Sequence, residues 1–227
     1  MEKHVIIVAG GKGTRMNTEV PKQFMELAGK PLLMHTTEIF FRACNAPASL
    51  VIVIPRQHKA LWEKLCHKHH FQVPHKVVDG GRERFFSVRN ALSVIGKNGL
   101  IAIHDGVRPA VSPDVIKRCF EAAEIYGNAV PAVAVAESMR RIFSGKTKVV
   151  NRKEYLLVQT PQTFRADLLH KAYQAPYREQ FTDDASVLEH SGVAVHLVEG
   201  NKENIKVTTP GDLLFAEWLL SKSRPVE

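Results

Sequence analysis

Two groups of residues near the start have the types and spacing to hold a polyphosphate. The first is the loop Ala9-Gly10-Gly11-Lys12-Gly13-Thr14-Arg15-Met16, which follows the unbroken apolar run Val5-Ile6-Ile7-Val8. The second is Pro21-Lys22-Gln23-Phe24. A short β-branched run reads as a buried parallel strand. Glycines clustered at its carboxyl end let the backbone turn and aim several N–H groups at one anion. Arg15 and Lys22 add fixed positive charge, so the chemistry indicated is polyphosphate binding. Neither common nucleotide signature is present. Gly10, Gly11 and Gly13 do not fit G-x-G-x-x-G, and Lys12-Gly13-Thr14 runs in the wrong order for a P-loop.

The elements that must position this loop follow a strand–helix rhythm. Residues 31–42 read as a helix with Pro31 at its first position, residues 50–54 as a strand and 58–69 as a helix. His67, His69 and His70 crowd that helix's end, where polar or cationic groups suit the helix dipole. Residues 76–79 form a short strand ending in Gly80-Gly81. Residues 85–95 form a helix, with Val88, Ala91, Leu92 and Ile95 at helical spacing. A strand at 100–104 precedes a helix at 113–126, capped by Ser112 with Pro113 at N1. An apolar strand follows at 129–136. The alternation predicts a doubly wound α/β sheet with its ligands at the carboxyl ends of the strands.

Residues 137–157 break the rhythm. Met139-Arg140-Arg141-Ile142-Phe143, a Ser144-Gly145-Lys146 turn and Val149-Val150-Asn151-Arg152 read as a polar β-hairpin or arm. A lone hairpin is marginal in water, so a second subunit is expected to pack on it. Helices at 166–174 and 183–190, strands at 193–198 and 205–207 and a helix at 210–220 complete a single domain, residues 1–227.

Composition narrows the function classes. The 227 residues are 44% apolar, with 31 basic and 23 acidic side chains. The net charge of +8 is scattered, without a basic stripe interleaved with aromatics, so a small polyanionic substrate explains it better than nucleic acid. Cys44, Cys66 and Cys119 show neither a disulfide framework nor metal-ligand spacing. No signal-peptide pattern and no membrane-length apolar run is seen, and a cytoplasmic protein is expected.

The loop with its Pro21-Lys22-Gln23 element resembles the opening of the cytidylyltransferases that act on small polyol phosphates. Further phrases follow in order. They are Gly80-Gly81-Arg82-Glu83-Arg84 with Ser87-Val88, and His104-Asp105-Gly106-Val107-Arg108-Pro109. Next come Gln159-Thr160-Pro161-Gln162-Thr163-Phe164 and Thr182-Asp183-Asp184-Ala185-Ser186. Last is Val198-Glu199-Gly200 leading to Asn204-Ile205-Lys206-Val207-Thr208. Together they resemble the 2-C-methyl-D-erythritol 4-phosphate cytidylyltransferase family of the non-mevalonate isoprenoid pathway. The resemblance implies a Rossmann-like, mostly parallel sheet with a dimerisation arm, and cytidylyl transfer from CTP with release of pyrophosphate. It implies CTP contacts at Ala9, Gly10, Gly11, Gly13, Gly80, Gly81, Ser87 and Asp105, and catalytic roles for Arg15, Lys22 and Lys206. Sugar-phosphate contacts fall to Arg108, Ser138 and Thr160, with Arg152 donated by the neighbour in a homodimer. Ser138 stands where the family often has Thr, and Arg82 where it often has an acid.

Asp105 at a strand end would repel a triphosphate unless a divalent cation such as Mg²⁺ lay between them. Lys206, on a partly buried strand, needs an anionic partner, which the resemblance supplies as the α-phosphate. Two other readings stay open. A ribitol 5-phosphate cytidylyltransferase fits the opening, although the downstream phrases favour the erythritol enzyme. A non-catalytic nucleotide- or nucleic-acid-binding protein on the same fold should have lost some of Arg15, Lys22, Asp105 or Lys206, and all four are present.

Overall fold

The computed structural model of the chain describes residues 1–10 and 20–222. Its centre is the strand β1 (Lys3–Val8), paired in parallel with β4 (Ser49–Ile54) on one side and with β6 (Leu100–Asp105) on the other. β5 (Lys76–Asp79) extends the sheet in parallel beyond β4. The chain therefore builds outward from β1 through β4 to β5, then crosses to β6 on the opposite side of β1. The reversal puts the switch point of the sheet between the carboxyl ends of β1 and β6, where open α/β sheets bind ligands.

Alternation along the three central strands explains the layering. Val5 and Ile7, Leu50, Ile52 and Ile54, and Leu100 and Ala102 face α1 (Leu32–Ala43), α2 (Lys59–Lys68) and α4 (Pro113–Tyr126). Ile6, Val51, Val53, Ile101 and Ile103 face α3 (Arg84–Leu92), α5 (Ala166–Ala172) and α6 (Asp184–His190). Strands buried on both faces need continuous apolar sequence, which these have. α4 forms where the sequence places its cap: Ser112 accepts from the Val115 N–H at 3.2 Å and Pro113 opens the first turn. Pro31 does not begin α1. It is the N-cap, and it pairs with Glu26 in the ladder of β2 (Glu26–Leu27) and β3 (Lys30–Pro31).

Beyond β6 the sheet is mixed. β7 (Asn128–Ala134) does not lie beside β6. The antiparallel strand β11 (Gln162–Arg165) is inserted between them, with Gln162 opposite Ile103 and Thr163 opposite Ala129. β10 (Leu156–Val158) also pairs antiparallel with β7, and β12 (Leu197–Glu199) pairs parallel with it. The Thr160–Pro161 bond between β10 and β11 is cis.

The arm is a two-stranded hairpin, β8 (Arg140–Phe143) and β9 (Lys146–Val149). Its turn residues Ser144 and Gly145 have φ of 48° and 75°, the paired positive values of a type I′ turn. The arm carries exposed apolar side chains among its exposed basic ones. Ile142, Phe143 and Val149 are exposed on it, with Leu156, Leu157 and Val158 exposed on β10. No strand forms over 205–207. That segment is held by a Val207 N–H donating to the Val107 carbonyl at 2.9 Å. Val207 is buried with Leu27, Leu32 and Ala216 of the closing helix α7 (Pro210–Lys222).

Candidate active site

Four parts of the chain meet at the switch point. β1 ends in Ala9, whose N–H donates to the Val53 carbonyl at 2.8 Å, and in Gly10. Gln23 is buried and donates from Nε2 to the Ala9 carbonyl at 2.9 Å. The Pro21-Lys22-Gln23 element is thereby fastened to the end of β1 across the glycine loop. Gly11, Gly13 and Arg15 lie outside the described residues. Lys22 donates from Nζ to the Val207 carbonyl at 3.2 Å, so the opening element and the segment carrying Lys206 are direct neighbours.

A glycine turn lies beside Gly10. The Gly80 N–H bonds the Ile54 carbonyl at 2.8 Å, and the Gly81 N–H donates to Ser87 Oγ at 3.0 Å. A Cβ on Gly81 would stand 2.3 Å from Phe86 Cβ, so the close approach admits no side chain. A Cβ on Gly10 would stand 3.5 Å from the same Ser87 Oγ, which puts Gly10 and the Gly80-Gly81 turn on either side of Ser87. Arg82 lies with its guanidinium 4.6 Å from the centre of the Phe86 ring, a cation–π contact.

The charged centre is Asp105, the last residue of β6. One oxygen is 3.0 Å from Lys206 Nζ and 3.3 Å from Arg108 Nε, and the other is 3.6 Å from Arg84 Nε. Burial alone would raise this carboxyl's pKa. Arg84, Lys206 and Arg108 outweigh burial and hold it well below the usual carboxylate range. Lys206 thus finds the anionic partner its sequence context called for within its own chain, on a loop instead of a strand.

A neutral layer fixes this centre from below. Thr160 accepts from the Asp105 N–H at 3.2 Å. His104 is fully buried, with Nε2 3.0 Å from the Arg108 carbonyl and Nδ1 2.9 Å from Thr160 Oγ1. Burial lowers its pKa to about 4. The neutral ring then donates to the carbonyl and accepts from the threonine hydroxyl. Asn204 donates to the Thr160 carbonyl at 2.7 Å, and its own carbonyl accepts from Arg108 Nη1 at 2.7 Å. Arg108, Thr160, Asp105 and Lys206 are brought together by these bonds. Ser138 and Arg152 are not. Both are exposed, and Arg152 Nη1 donates to the Ala136 carbonyl of its own chain.

The residues behind the site carry roles that their types alone did not declare. Arg84 pairs with Asp184 at 2.7 Å as well as with Asp105. Asp184 accepts from the Tyr173 hydroxyl at 2.6 Å. Gln23, His104 and Asn204 are buried polar anchors. Each had been visible only as part of a phrase. Among the described residues no group of three or more His, Cys, Asp or Glu could hold a metal by itself. Asp105 offers one carboxylate, which suits a cation that takes its remaining ligands from phosphate and water.

An open, mostly parallel sheet that gathers Gly10, the Gly80-Gly81 turn and a ring of cations at its switch point is a nucleotide-binding α/β protein built for a polyphosphate. The family described as IspD, 2-C-methyl-D-erythritol 4-phosphate cytidylyltransferase, matches residues 3–222. The 2-C-methyl-D-erythritol 4-phosphate cytidylyltransferase of Bacteroides thetaiotaomicron is 50% identical over 220 residues, covering 97% of this chain and 100% of that protein. The crystal structure of the protein of that name from Thermus thermophilus superposes with a TM-score of 0.78 at 31% identity, covering 97% of this chain and 100% of that one. The Francisella tularensis structure gives 0.78 at 32% identity, covering 96% and 100%. The chain belongs to the 2-C-methyl-D-erythritol 4-phosphate cytidylyltransferase family.

Proposed function

We infer that the chain transfers the cytidylyl group of CTP to 2-C-methyl-D-erythritol 4-phosphate, releasing pyrophosphate. The observation that carries this is the convergence of Arg84, Arg108 and Lys206 about Asp105 at the carboxyl end of β6, with Lys22 held on the Val207 carbonyl next to Lys206, in a member of this family. Two phosphate-bearing substrates must be held within bonding distance, and this is the part of the described chain where cations gather around a strand end. The attacking group is a phosphate oxygen of the polyol phosphate. It forms a bond to the α-phosphorus of CTP while the bond to the bridging oxygen breaks and the electron pair leaves with pyrophosphate. The nucleophile is already ionised at neutral pH, so no general base and no covalent enzyme intermediate are needed.

Catalysis is then positioning plus stabilisation of a charge-rich transition state. Lys22 and Lys206, with Arg15, supply positive charge near the α-phosphorus. Arg108 and Thr160 receive the sugar phosphate together with Ser138, and Gly80, Gly81 and Ser87 receive the cytidine. Asp105 would hold the divalent cation, which when bound neutralises phosphate charge. The exposed apolar side chains of the arm and of β10 support a twofold homodimer in which Arg152 reaches the partner's sugar-phosphate site. Three unpaired cysteines suit a reducing, cytoplasmic setting, and among the described residues no helix is long and apolar enough to cross a membrane.

The test is pyrophosphate release from CTP with each polyol phosphate offered separately. Release with the erythritol phosphate is expected. Release only with ribitol 5-phosphate would overturn the substrate, and release with neither would overturn the activity.

A further inference from the structure

The three cations around Asp105 are not equivalent. Lys206 is 43% exposed, and Arg108 has its other end on the Asn204 carbonyl. Both approach the same carboxylate oxygen. Arg84, the first residue of α3, faces the other oxygen. Behind Arg84 stands Asp184, fully buried as the first residue of α6. That helix start is itself fixed on several sides. Asp183 and Ser186 form a capping box, Gln162 bonds Asp183 and the Ala185 N–H, and Tyr173 donates to Asp184. The Tyr173 ring stacks on Phe85 at 4.8 Å, next in sequence to Arg84. A buried chain Tyr173–Asp184–Arg84–Asp105 thus runs from between α5 and α6 to the switch point.

A buried ion pair is a poor way to gain stability, because desolvation offsets most of its attraction. Its geometry is the asset. We propose that Arg84 is a positioning residue for the nucleotidyl transfer, clamped from behind by Asp184 and Tyr173 so that it fixes the Asp105 carboxylate where the nucleotide's charge is received. When a polyphosphate enters, its oxygens compete for Lys206 and Arg108. Arg84 stays, because its other face is tied to Asp184. Burial alone would make the guanidinium less basic, but the Asp184 and Asp105 carboxylates outweigh that and keep it charged. The proposal rests on the cytidylyl-transfer reading. It gives a purpose to the Gly80–Arg84 and Thr182–Ser186 phrases beyond their glycines and helix cap.

The test is the charge-neutral double substitution Arg84→Met with Asp184→Asn, compared with Arg84→Lys. The double variant is expected to melt near the wild type. Its CTP affinity, read by titration calorimetry with and without Mg²⁺, and its KM for CTP are expected to weaken at least about tenfold. Its KM for the sugar phosphate is expected to stay within about twofold. Arg84→Lys keeps the charge without the fork and should fall between the two. A purely structural role would lower the active fraction and leave both KM values and the CTP affinity unchanged, and that result overturns the proposal. If the double variant does not fold, Tyr173→Phe decides, since it removes only the hydroxyl holding Asp184. A weakening of CTP binding alone supports the clamp, and wild-type binding overturns it. A wild-type enzyme that consumes no CTP would instead sink the underlying activity.

Discussion

Replacing Asp105 by Asn removes one charge and leaves three cations that had shared it. Their separate surroundings set the cost. Arg84 keeps Asp184 at 2.7 Å, Arg108 keeps the Asn204 carbonyl at 2.7 Å, and Lys206 is exposed enough to hydrate. Breaking a buried pair from one side costs about 3–5 kcal/mol. These retained partners place Asp105→Asn at the low end, about 3 kcal/mol. For a chain of 227 residues each kcal/mol moves the melting temperature by about 2–4 °C, so a fall of roughly 6–12 °C is expected at pH 7. Adding Lys206→Met should restore part of it, because one unpaired cation is gone. The sign with pH is fixed. The folded carboxyl titrates below its unfolded value of 3.8, so its contribution is present above that value and is lost as pH falls further. The gap between wild type and variant should therefore close in strong acid. Calorimetric melting of the three proteins across pH checks this. A variant that melts within about 1 °C of wild type at pH 7 would show that the carboxylate and its cations are not energetically coupled.

Lys22→Ala should slow turnover at least about a hundredfold, a loss of roughly 2.7 kcal/mol of transition-state stabilisation, with a nearly unchanged melting temperature. Steady-state turnover close to wild type in the purified variant would remove Lys22 from the mechanism. Arg152→Ala should raise KM for the sugar phosphate far more than KM for CTP. Mixed one to one with Lys22→Ala subunits under exchange, it should recover roughly a quarter of wild-type sites, because half the dimers are mixed and one site in each is intact. Activity no greater than the sum of the parents would place Arg152 in its own subunit's site or in none. His104 is held neutral, its pKa lowered from 6.5 to about 4. The unfolded chain takes up that proton first as pH falls, so between pH 6.5 and 4 the fold should lose up to about 3 kcal/mol. Denaturant unfolding should show the loss shrink in His104→Gln, and an identical slope in the two proteins would refute it.

Local chemistry was enough to place much of this molecule. Apolar runs rich in β-branched residues marked β1, β4 and β6, because strands buried on both faces need such runs, and the shorter Val77-Val78 pair marked the edge strand β5. Ser112-Pro113 and Ser144-Gly145 announced a helix start and a turn through short-range geometry alone. The Gly80-Gly81 turn was legible because two glycines follow a short strand, and Lys22, Asp105 and Lys206 because each stands in a phrase shared with the family. What the chain order could not convey was neighbourhood. β11 lies between β6 and β7 because Thr163 and Phe164 find partners on both, a long-range pairing that no window of sequence contains. The strand expected at 205–207 is a loop because Val207 is claimed by α7 and the β2–β3 corner, not by a ladder. Arg84 stood in the sequence only as the last residue of the Gly80–Arg84 phrase, with no role of its own. It became part of the site only when folding set Asp184, 100 residues further along, behind it and Asp105 in front.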